Sequence, residues 1–544
     1  MKPILEVLFS KHNYPASDQE KQKPQEQKKT LRQGLKEIYY EYCTNTSVHC
    51  IQYLGTHRPW KEIIFWLTIF AISFYCCSET ITKIYQKWND TPVIVTFSEH
   101  STPVSDIPFP AITICPEIRR RANKNGPSYG AFLSNITNGM EISKSLTKTE
   151  REELLTLLQT CNKDVYSSEI PRLFNGSLDY IQIINNMALG FEEQTVACKW
   201  FGISDICRDL LTNTYTDDGL CYTFNGFNGT DLYRENTVQY KLLGLENIID
   251  QSTLQRINRS LNWSMEHGYP NDAPLKTYPA RVISANTRTS FEATLRIPGG
   301  HSDHSCSGGT DGYKIVLHTP SDVPMLSKRF VRISPHKEVV ITVKPILLTT
   351  SDGVANYSPE KRECYMDGER YLRFFKVYSA RNCEMECLTN YTLKECGCVK
   401  FSMPRSADMP ICAEDKISCY VQAEDRMLLE HFGSSDKDPC NCMPSCTSLD
   451  YDVEISQSEF NEEQIFAAFK IKDAVGAKWS RLTVHFKDNE FITSKRSELY
   501  GFTDFLANCG GVLGLFMGIS ILSFIEWLYH FTLRLWSNMR MNHV

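Results

Sequence analysis

Two long apolar segments interrupt a chain that is otherwise largely polar. The first covers Ile63–Tyr85 and begins with 15 uncharged residues, and the second covers Phe505–Leu533 with a single carboxylate, Glu526. A helix that crosses a bilayer needs about 20 predominantly apolar residues. The pattern therefore predicts two transmembrane helices, at residues 62–86 and 501–533.

Charge at the two ends of the chain orients these predicted spans. Residues 1–61 hold ten Lys/Arg against six Asp/Glu, and residues 534–544 hold two Arg and no acid. Because cytoplasmic segments are enriched in Lys and Arg, both tails are predicted to be cytoplasmic and residues 87–500 extracellular. We therefore expect a plasma-membrane protein with two spans and a large external domain.

Shorter patterns predict an α+β fold for the external domain. Thr149 and Glu152 have the spacing of a capping box ahead of closely spaced leucines, and a second helix is expected at Glu462–Ile471. Runs typical of β-strands lie at Tyr278–Ile297, Tyr313–His318, Glu338–Thr349 and Arg481–Lys487.

Cysteine usage agrees with an external location for this domain. Sixteen of the 21 cysteines lie between the spans, and a fully paired disulfide framework requires an even number. Spacing cannot choose among the possible pairings. Zinc binding is the alternative, but the paired C-x2-C spacing of structural zinc sites is missing. The sixteen are Cys115, Cys161, Cys198, Cys207, Cys221, Cys306, Cys364, Cys383, Cys387, Cys396, Cys398, Cys412, Cys419, Cys440, Cys442 and Cys446.

The external region also contains a cluster of possible metal ligands and a set of N-glycosylation sequons. His301, His304 and Cys306 could ligate a metal, but they lie in a loop rich in Gly, Ser and Asp, and we expect no metal there. N-glycosylation sequons are consistent with passage through the secretory lumen. They begin at Asn135, Asn175, Asn228, Asn258, Asn262, Asn356 and Asn390.

The second apolar segment carries a glycine stripe. Gly510, Gly514 and Gly518 recur every four residues, a spacing that allows close helix packing. Alternatively, Gly518-Ile519-Ser520 could unwind and turn backbone carbonyls toward a central passage, as in the filters of ion channels. Two helices per chain cannot enclose a pore, so a channel would require a symmetric oligomer.

Glu526 allows two interpretations. A carboxylate inside a span usually marks a functional site or an ion route. It lies only eight residues before Arg534, however, and could instead be solvated at the cytoplasmic interface. Both interpretations stay open.

Composition and missing motifs narrow the function classes. With 42% hydrophobic and 22% charged residues, the chain is not disordered as a whole. A formal net charge of −6 excludes a generally basic nucleic-acid binder. No G-x-S-x-G, H-E-x-x-H or glycine-rich phosphate loop occurs, so we expect no enzyme.

Several segments together resemble the epithelial sodium channel, acid-sensing channel and degenerin superfamily, and the run from Phe109 is most similar to the insect pickpocket branch. The most specific piece is Gly510-Gly-x-x-Gly-Leu-Phe-x-Gly-x-Ser520 followed by Ser523-x-x-Glu526. The other matching segments are Phe109–Cys115, Gly219–Asn225, Gly312–His318, the series Cys383, Cys387, Cys396 and Cys398, and Cys440–Cys446.

The resemblance implies a fold and a function. It implies a trimer with an ectodomain of palm, thumb, finger, knuckle and β-ball, and an amiloride-sensitive pore that passes sodium. The selectivity filter would be Gly518, Ile519 and Ser520, with no cofactor beyond the permeant sodium ion. Ala507 would be the degenerin position, where a bulky side chain holds the gate open, with Asn508, Gly510, Gly511 and Gly514 in the same gate region.

Two positions depart from the family pattern. The cytoplasmic His-Gly motif is His49-Cys50 here, and a Cβ at residue 50 restricts positive φ, which puts normal gating by this loop in doubt. Several acid-sensing members carry an acid where Asn508 stands. Its absence argues mildly against strong proton or calcium control at the outer mouth.

We therefore expect a voltage-insensitive, stimulus-gated, sodium-selective channel subunit in a homo- or heterotrimer with related subunits. Motion of the external domain would open a pore lined by the second span, through strands predicted at Phe97–Thr113 and Arg481–Lys487. The alternative is a non-conducting receptor or an auxiliary subunit of such a channel. The stimulus, whether an extracellular ligand or a mechanical tether, is not encoded in any motif.

Overall fold

The computed structural model describes residues 31–54, 58–90, 93–121, 128–138, 146–161, 172–174, 176, 178–204, 210–243, 263–274, 277–299, 304–433, 440–469 and 476–537. The chain divides into two compact units. Met1–Thr91 with Tyr500–Val544 form one, here called the helical unit, and Pro92–Leu499 form the other, here called the large domain. Cys207, His301, Asn175, Asn258 and Asn262 lie outside the described residues.

Helices occur in both units. In chain order they are α1 (Leu31–Asn45), α2 (Ile51–Leu54), α3 (Trp60–Asp90), α4 (Tyr129–Thr137), α5 (Lys148–Thr160), α6 (Tyr180–Met187), α7 (Phe191–Gln194), α8 (Gly229–Leu232), α9 (Val238–Leu242), α10 (His304–Ser307), α11 (Asp352–Ala355), α12 (Pro359–Arg362), α13 (Ala380–Cys396), α14 (Ile417–Gly433), α15 (Glu462–Phe469), α16 (Phe502–Met517) and α17 (Ile521–Leu528). A π-helical turn at Tyr529–Arg534 follows α17.

Every strand in the described part of the chain lies in the large domain. They are β1 (Val93–Pro103), β2 (Ala111–Pro116), β3 (Thr195–Trp200), β4 (Ile203–Ser204), β5 (Leu211–Thr216), β6 (Gly219–Phe224), β7 (Phe291–Ile297), β8 (Tyr313–His318), β9 (Val331–Ile333), β10 (Lys337–Thr350), β11 (Ser448–Glu459), β12 (Lys478–Phe486) and β13 (Glu490–Glu498). One sheet has the order β1-β13-β10-β12-β7-β3-β4, with β11 paired to β10, and a five-stranded sheet has the order β5-β6-β2-β8-β9.

Strand β10 organises the larger sheet. It pairs antiparallel with β11 and parallel with β12 and β13. Val339, Ile341 and Val343 alternate along it and are fully buried, because successive side chains of a strand point to opposite faces. This apolar face belongs to the main core of the large domain.

Aromatic side chains from both sheets meet in that core. The ring of Phe109 lies 4.8 Å from that of Trp200, and the ring of Phe224 lies 4.6 Å from that of Phe291, measured between centroids. In the five-stranded sheet Thr113 is fully buried, and its hydroxyl lies 2.8 Å from that of Thr223. The domain is thus a mixed fold of helices and strands, as the sequence predicted, and its two sheets share one core.

Disulfides cross-link the large domain, and several of their cysteines are buried in its apolar core. Cys396–Cys419 joins α13 to α14, and two more bridges tie α13 to the segment before β11. Fifteen of the sixteen predicted cysteines are described, and all fifteen are disulfide-bonded. Cys306 is therefore not a metal ligand in this structure. The seven bridges with both partners described are Cys115–Cys221, Cys161–Cys306, Cys364–Cys446, Cys383–Cys442, Cys387–Cys440, Cys396–Cys419 and Cys398–Cys412.

Two local predictions were wrong. The capping box of α5 is formed by Thr147 and Glu150, not by Thr149 and Glu152, because the Glu150 carboxylate reaches the backbone N–H of Thr147 at 3.1 Å. The run Tyr278–Ile297 is a strand only from Phe291 onward. Before it, the Asn286 side chain accepts from the N–H groups of residues 288 and 289 and caps a 3₁₀ turn.

The helical unit contains one of the two predicted transmembrane helices as a continuous helix and the other as a broken one. By length and composition α3 could cross a membrane, and it covers the first predicted span. The second apolar segment breaks after Met517, and its two helical parts are bent by 67°. Only the bent pair taken together has the length of a second span.

Candidate functional site

The break between α16 and α17 follows from the residues at 518–520. Gly518 ends α16 with φ 67°, a left-handed conformation that glycine adopts without a Cβ clash. Its N–H donates to the Gly514 carbonyl at 3.0 Å. Ser520 then caps α17, since its hydroxyl accepts from the N–H of Ser523 at 3.2 Å. The Ser520 carbonyl accepts from the N–H of Phe524 at 3.3 Å, so the hydrogen bonds of α16 end at Gly518 and those of α17 begin at Ser520.

An N-terminal segment packs directly on this break. The N–H of His49 donates to the Met517 carbonyl at 2.9 Å. The Ser47 hydroxyl lies 2.7 Å from the Ser523 hydroxyl. A Cβ on Gly518 would come within 2.5 Å of the His49 ring and 2.7 Å of the Ser47 carbonyl. The glycine is thus required both for its φ and for the space it leaves.

Cys50 follows His49 in a strained conformation. Its φ is 69°, a region that costs a residue with a Cβ about 1–2 kcal/mol. The N–H of His49 nevertheless reaches Met517. Cysteine in place of the family glycine at position 50 therefore keeps the hydrogen bond between His49 and Met517, but it adds backbone strain at the next residue.

Gly510 and Gly514 of the glycine stripe have no close neighbours among the described residues, whereas Gly518 packs on His49 and Ser47. No described atom would lie within 4 Å of a Cβ placed on Gly510, Gly511 or Gly514. Helix α16 instead contacts α3 through other positions, such as the Phe516 carbonyl, which accepts from Ser73 at 2.9 Å. The close-packing interpretation is therefore not realised within one chain, and this face is open to another copy or to a passage.

The other predicted site residues are spread along the helices. Ala507 and Asn508 are exposed on α16, and Ala507 lies about 16 Å along the helix from Gly518 at 1.5 Å per residue. Glu526 is exposed on α17. The predicted residues therefore form a line along the broken segment, and only 518–520 with His49 come together.

Helix α1 anchors the far end of the broken segment. The Arg534 guanidinium lies 3.2 Å from the Glu41 carboxylate. The Tyr42 ring packs edge-on against His530 and Phe531, both at 5.7 Å between centroids. The N-terminal segment thus contacts the broken segment at two levels, at the break and at the π-helical turn after α17.

Sequence reasoning missed the partners of the break. Ser523 was named only as part of the family motif and Ser47 was not named, although Ser520-x-x-Ser523 has the spacing of a helix cap. Ser47 had no such signal, because its partner lies 476 residues away.

Buried ionisable groups occur in the large domain. Burial raises the pKa of Asp322 to about 6, although Arg381 lies 3.7 Å away. Burial lowers the pKa of His318 to about 4. In both groups burial shifts the pKa in the direction that favours the neutral form.

Comparisons with known proteins cover nearly the whole chain. A family model described as amiloride-sensitive sodium channel matches residues 42–530. Pickpocket protein 28 of Drosophila melanogaster is 27% identical over 516 residues, which is 92% of this chain and 79% of that protein. Epithelial sodium channel subunit gamma of Neoceratodus forsteri is 21% identical over 90% of this chain and 81% of its own length. Acid-sensing ion channel 1C of Danio rerio is 22% identical over 89% of this chain and 81% of its own.

Proposed function

Because the chain belongs to the amiloride-sensitive sodium channel family, we propose that it is the pore-forming subunit of a sodium-selective, amiloride-sensitive cation channel. The family consists of ion channels, not enzymes, and the chain is accordingly a cation-channel subunit. Family members assemble as homo- or heterotrimers. We propose a trimer here, with related subunits as possible partners and both termini in the cytoplasm.

The helix break at 518–520 is the observation that carries this proposal. Short non-helical backbone at membrane depth is tolerated only where it faces protein or water. Gly518 ends α16 and Ser520 begins α17, each with a specific capping hydrogen bond, so the break is encoded by these two residues. In a trimer, three such breaks would offer a ring of backbone oxygens to a permeating ion.

The unoccupied glycine face supports the position of the pore. Gly510, Gly511 and Gly514 leave one side of α16 without side chains and without contacts to the described chain. Symmetry would bring the same face of each copy to a common axis. A bulky side chain at Ala507, on the outer part of this helix, would then prevent the helices from closing.

The large domain would receive the gating stimulus and transmit it to the pore. Strands β1 and β13 are antiparallel neighbours, with Val93 opposite Glu498 at one end and Pro103 opposite Glu490 at the other. In sequence, β1 follows α3 and β13 precedes α16. A ligand or force that favours the open form by a few kcal/mol would shift a closed population. We place this domain outside the cell because its described cysteines are oxidised.

The test is a recording from oocytes that express Ala507→Val. We expect constitutive current with a reversal potential that follows sodium rather than potassium, and block by amiloride. Leu506→Phe, a bulky change at the neighbouring exposed residue, is the matched control and is expected to stay closed without stimulus. A silent Ala507→Val protein at the cell surface, alone and with related subunits, would refute the gate assignment.

One outcome of the same recording supports the alternative function. If Ala507→Val is silent alone but changes currents of a co-expressed related channel, the chain is an auxiliary subunit.

A further inference from the structure

A cavity of about 420 Å³ lies inside the large domain. Its walls are formed by α13, α14, the tip of the β5–β6 hairpin and residues 323–328. Small-molecule sites are concave and enclose roughly 300–1,000 Å³. The cavity is therefore large enough for an organic molecule and far too large for a single ion.

The lining of the cavity is mostly apolar. Met325, Met385 and Met427 enter it from three different segments, and Leu388 and Phe401 add to the same surface. Methionine is flexible and polarizable, so it adapts to ligands of irregular shape. The Gln239 side chain, which also lines the cavity, already has hydrogen-bond partners. Its NH₂ group donates to the Met403 carbonyl at 2.7 Å, and its oxygen accepts from the N–H of residue 405 at 3.1 Å.

The charged residues that line the cavity all form ion pairs. The Lys400 ammonium lies 2.7 Å from the Glu424 carboxylate and 3.6 Å from the Asp217 carboxylate. Lys328 forms an ion pair with Glu384. These five groups sum to a formal charge of −1, and each acid already has a basic partner. An anionic ligand would therefore meet a net negative wall, and a multivalent cation would meet carboxylates that are already paired.

We propose that this cavity binds an uncharged, mostly apolar organic molecule. Such a ligand would displace water from the methionine and leucine side chains and leave the ion pairs at the wall intact. Because α13 and α14 both line the cavity and are joined by Cys396–Cys419, an occupant would contact both helices and the β5–β6 tip at once. The proposal concerns binding and holds whether or not the chain conducts.

Photolabelling in membranes from cells that express the full-length chain tests this site. The probe is 4-(trifluoromethyldiazirinyl)benzyl alcohol, and its charged partner is the corresponding benzoate. After photolysis and digestion, mass spectrometry locates the adducts. We expect saturable incorporation of the alcohol into α13 and α14 peptides, and about tenfold less incorporation of the benzoate. Labelling of α3 by the membrane-dissolved alcohol confirms photolysis.

Two matched variants on α14 give specificity. Met427→Trp fills the cavity and is expected to reduce incorporation there by about tenfold. Leu429→Trp, at a side chain that is 69% exposed and does not line the cavity, should leave it unchanged. If Met427→Trp fails to reach the membrane, excess 4-(trifluoromethyl)benzyl alcohol should still abolish wild-type labelling. Incorporation that resists this competitor, or that is equal for alcohol and benzoate, overturns the proposal.

Discussion

At the scale of single residues, Gly518 and Cys50 show opposite solutions to positive φ. Gly518 adopts φ 67° without a side chain to accommodate, whereas Cys50 adopts φ 69° with one. They lie close together, because His49 contacts the backbone of the break. Backbone strain and lack of space therefore concentrate at one place in the helical unit.

Gly518→Ala is expected to disrupt the packing of His49 and Ser47 on the helix break and to reduce sodium current. Its Cβ would collide with His49 and Ser47, and the residue would occupy a left-handed conformation that costs about 1–3 kcal/mol. In an Ala507→Val background we expect sodium current to fall by about tenfold or more at equal surface expression. Gly397→Ala, at a glycine with φ 71° whose Cβ would meet no described atom within 4 Å, controls for the backbone cost without a collision. Current equal to that of the background would contradict the account.

Cys50→Gly is expected to relieve strain. Removing the Cβ should stabilise the local conformation by about 1 kcal/mol, which corresponds to about fivefold slower local opening. The measurement is hydrogen exchange at the His49 amide, which donates to Met517. Cys50→Ala keeps a Cβ and should show no such slowing. Equal exchange in the two variants would show that φ at residue 50 is not the cause.

At the scale of elements, helix caps and helix breaks can be predicted from short sequence patterns. The pairing of strands and of cysteines that are distant in sequence cannot. Strand β8 matches its predicted range, since Tyr313–His318 is a compact apolar run. Strand β13 was not predicted, because Glu490–Glu498 mixes charged and apolar residues and is fixed by pairing with β1 and β10. Similarly, α13 depends on bridges to distant cysteines.

The caps also decide which sequons are accessible. The Asn228 side chain is only 3% exposed, and it caps α8 by accepting from the N–H of Asp231 at 2.9 Å. We expect glycans at the exposed Asn135, Asn356 and Asn390 but not at Asn228. Mass spectrometry after enzymatic deglycosylation in heavy-oxygen water measures occupancy at each site. A fully occupied Asn228 would mean that α8 is capped differently in the mature protein.

At the scale of the whole molecule, cysteine oxidation divides the chain. The five free cysteines all belong to the helical unit, and the fifteen described disulfide-bonded ones all belong to the large domain. Reducing and oxidising compartments produce such a division. The two units therefore differ in covalent cross-linking, since the described disulfides stabilise only the large domain.

The large domain should also respond to pH through Asp322. Its pKa is raised by burial to about 6, so the stabilisation from its neutral form is present below the unfolded pKa and is lost as pH rises through about 6. Asp322→Asn should therefore gain up to about 3 kcal/mol in free energy of unfolding, relative to wild type, between pH 4 and pH 8. His318 is present in both proteins and does not alter the difference.

Denaturant unfolding of the purified full-length protein at both pH values provides this measurement. Asp452→Asn is the control, because the pKa of Asp452 is lowered by its hydrogen bond to Arg329. That substitution should not show the gain on raising the pH. An Asp322→Asn difference independent of pH would show that the buried carboxyl does not titrate between the two values.

The sequence by itself determined the two apolar segments, the even set of cysteines and the glycine and serine at the break, because each is a local pattern of residue type and spacing. Only the tertiary structure decided which cysteines pair, that Ser47 and His49 pack on the break, and that α13 and α14 leave an apolar cavity. These depend on contacts between residues tens to hundreds of positions apart. Their geometry is set by the packing of the whole core, and no local pattern records it.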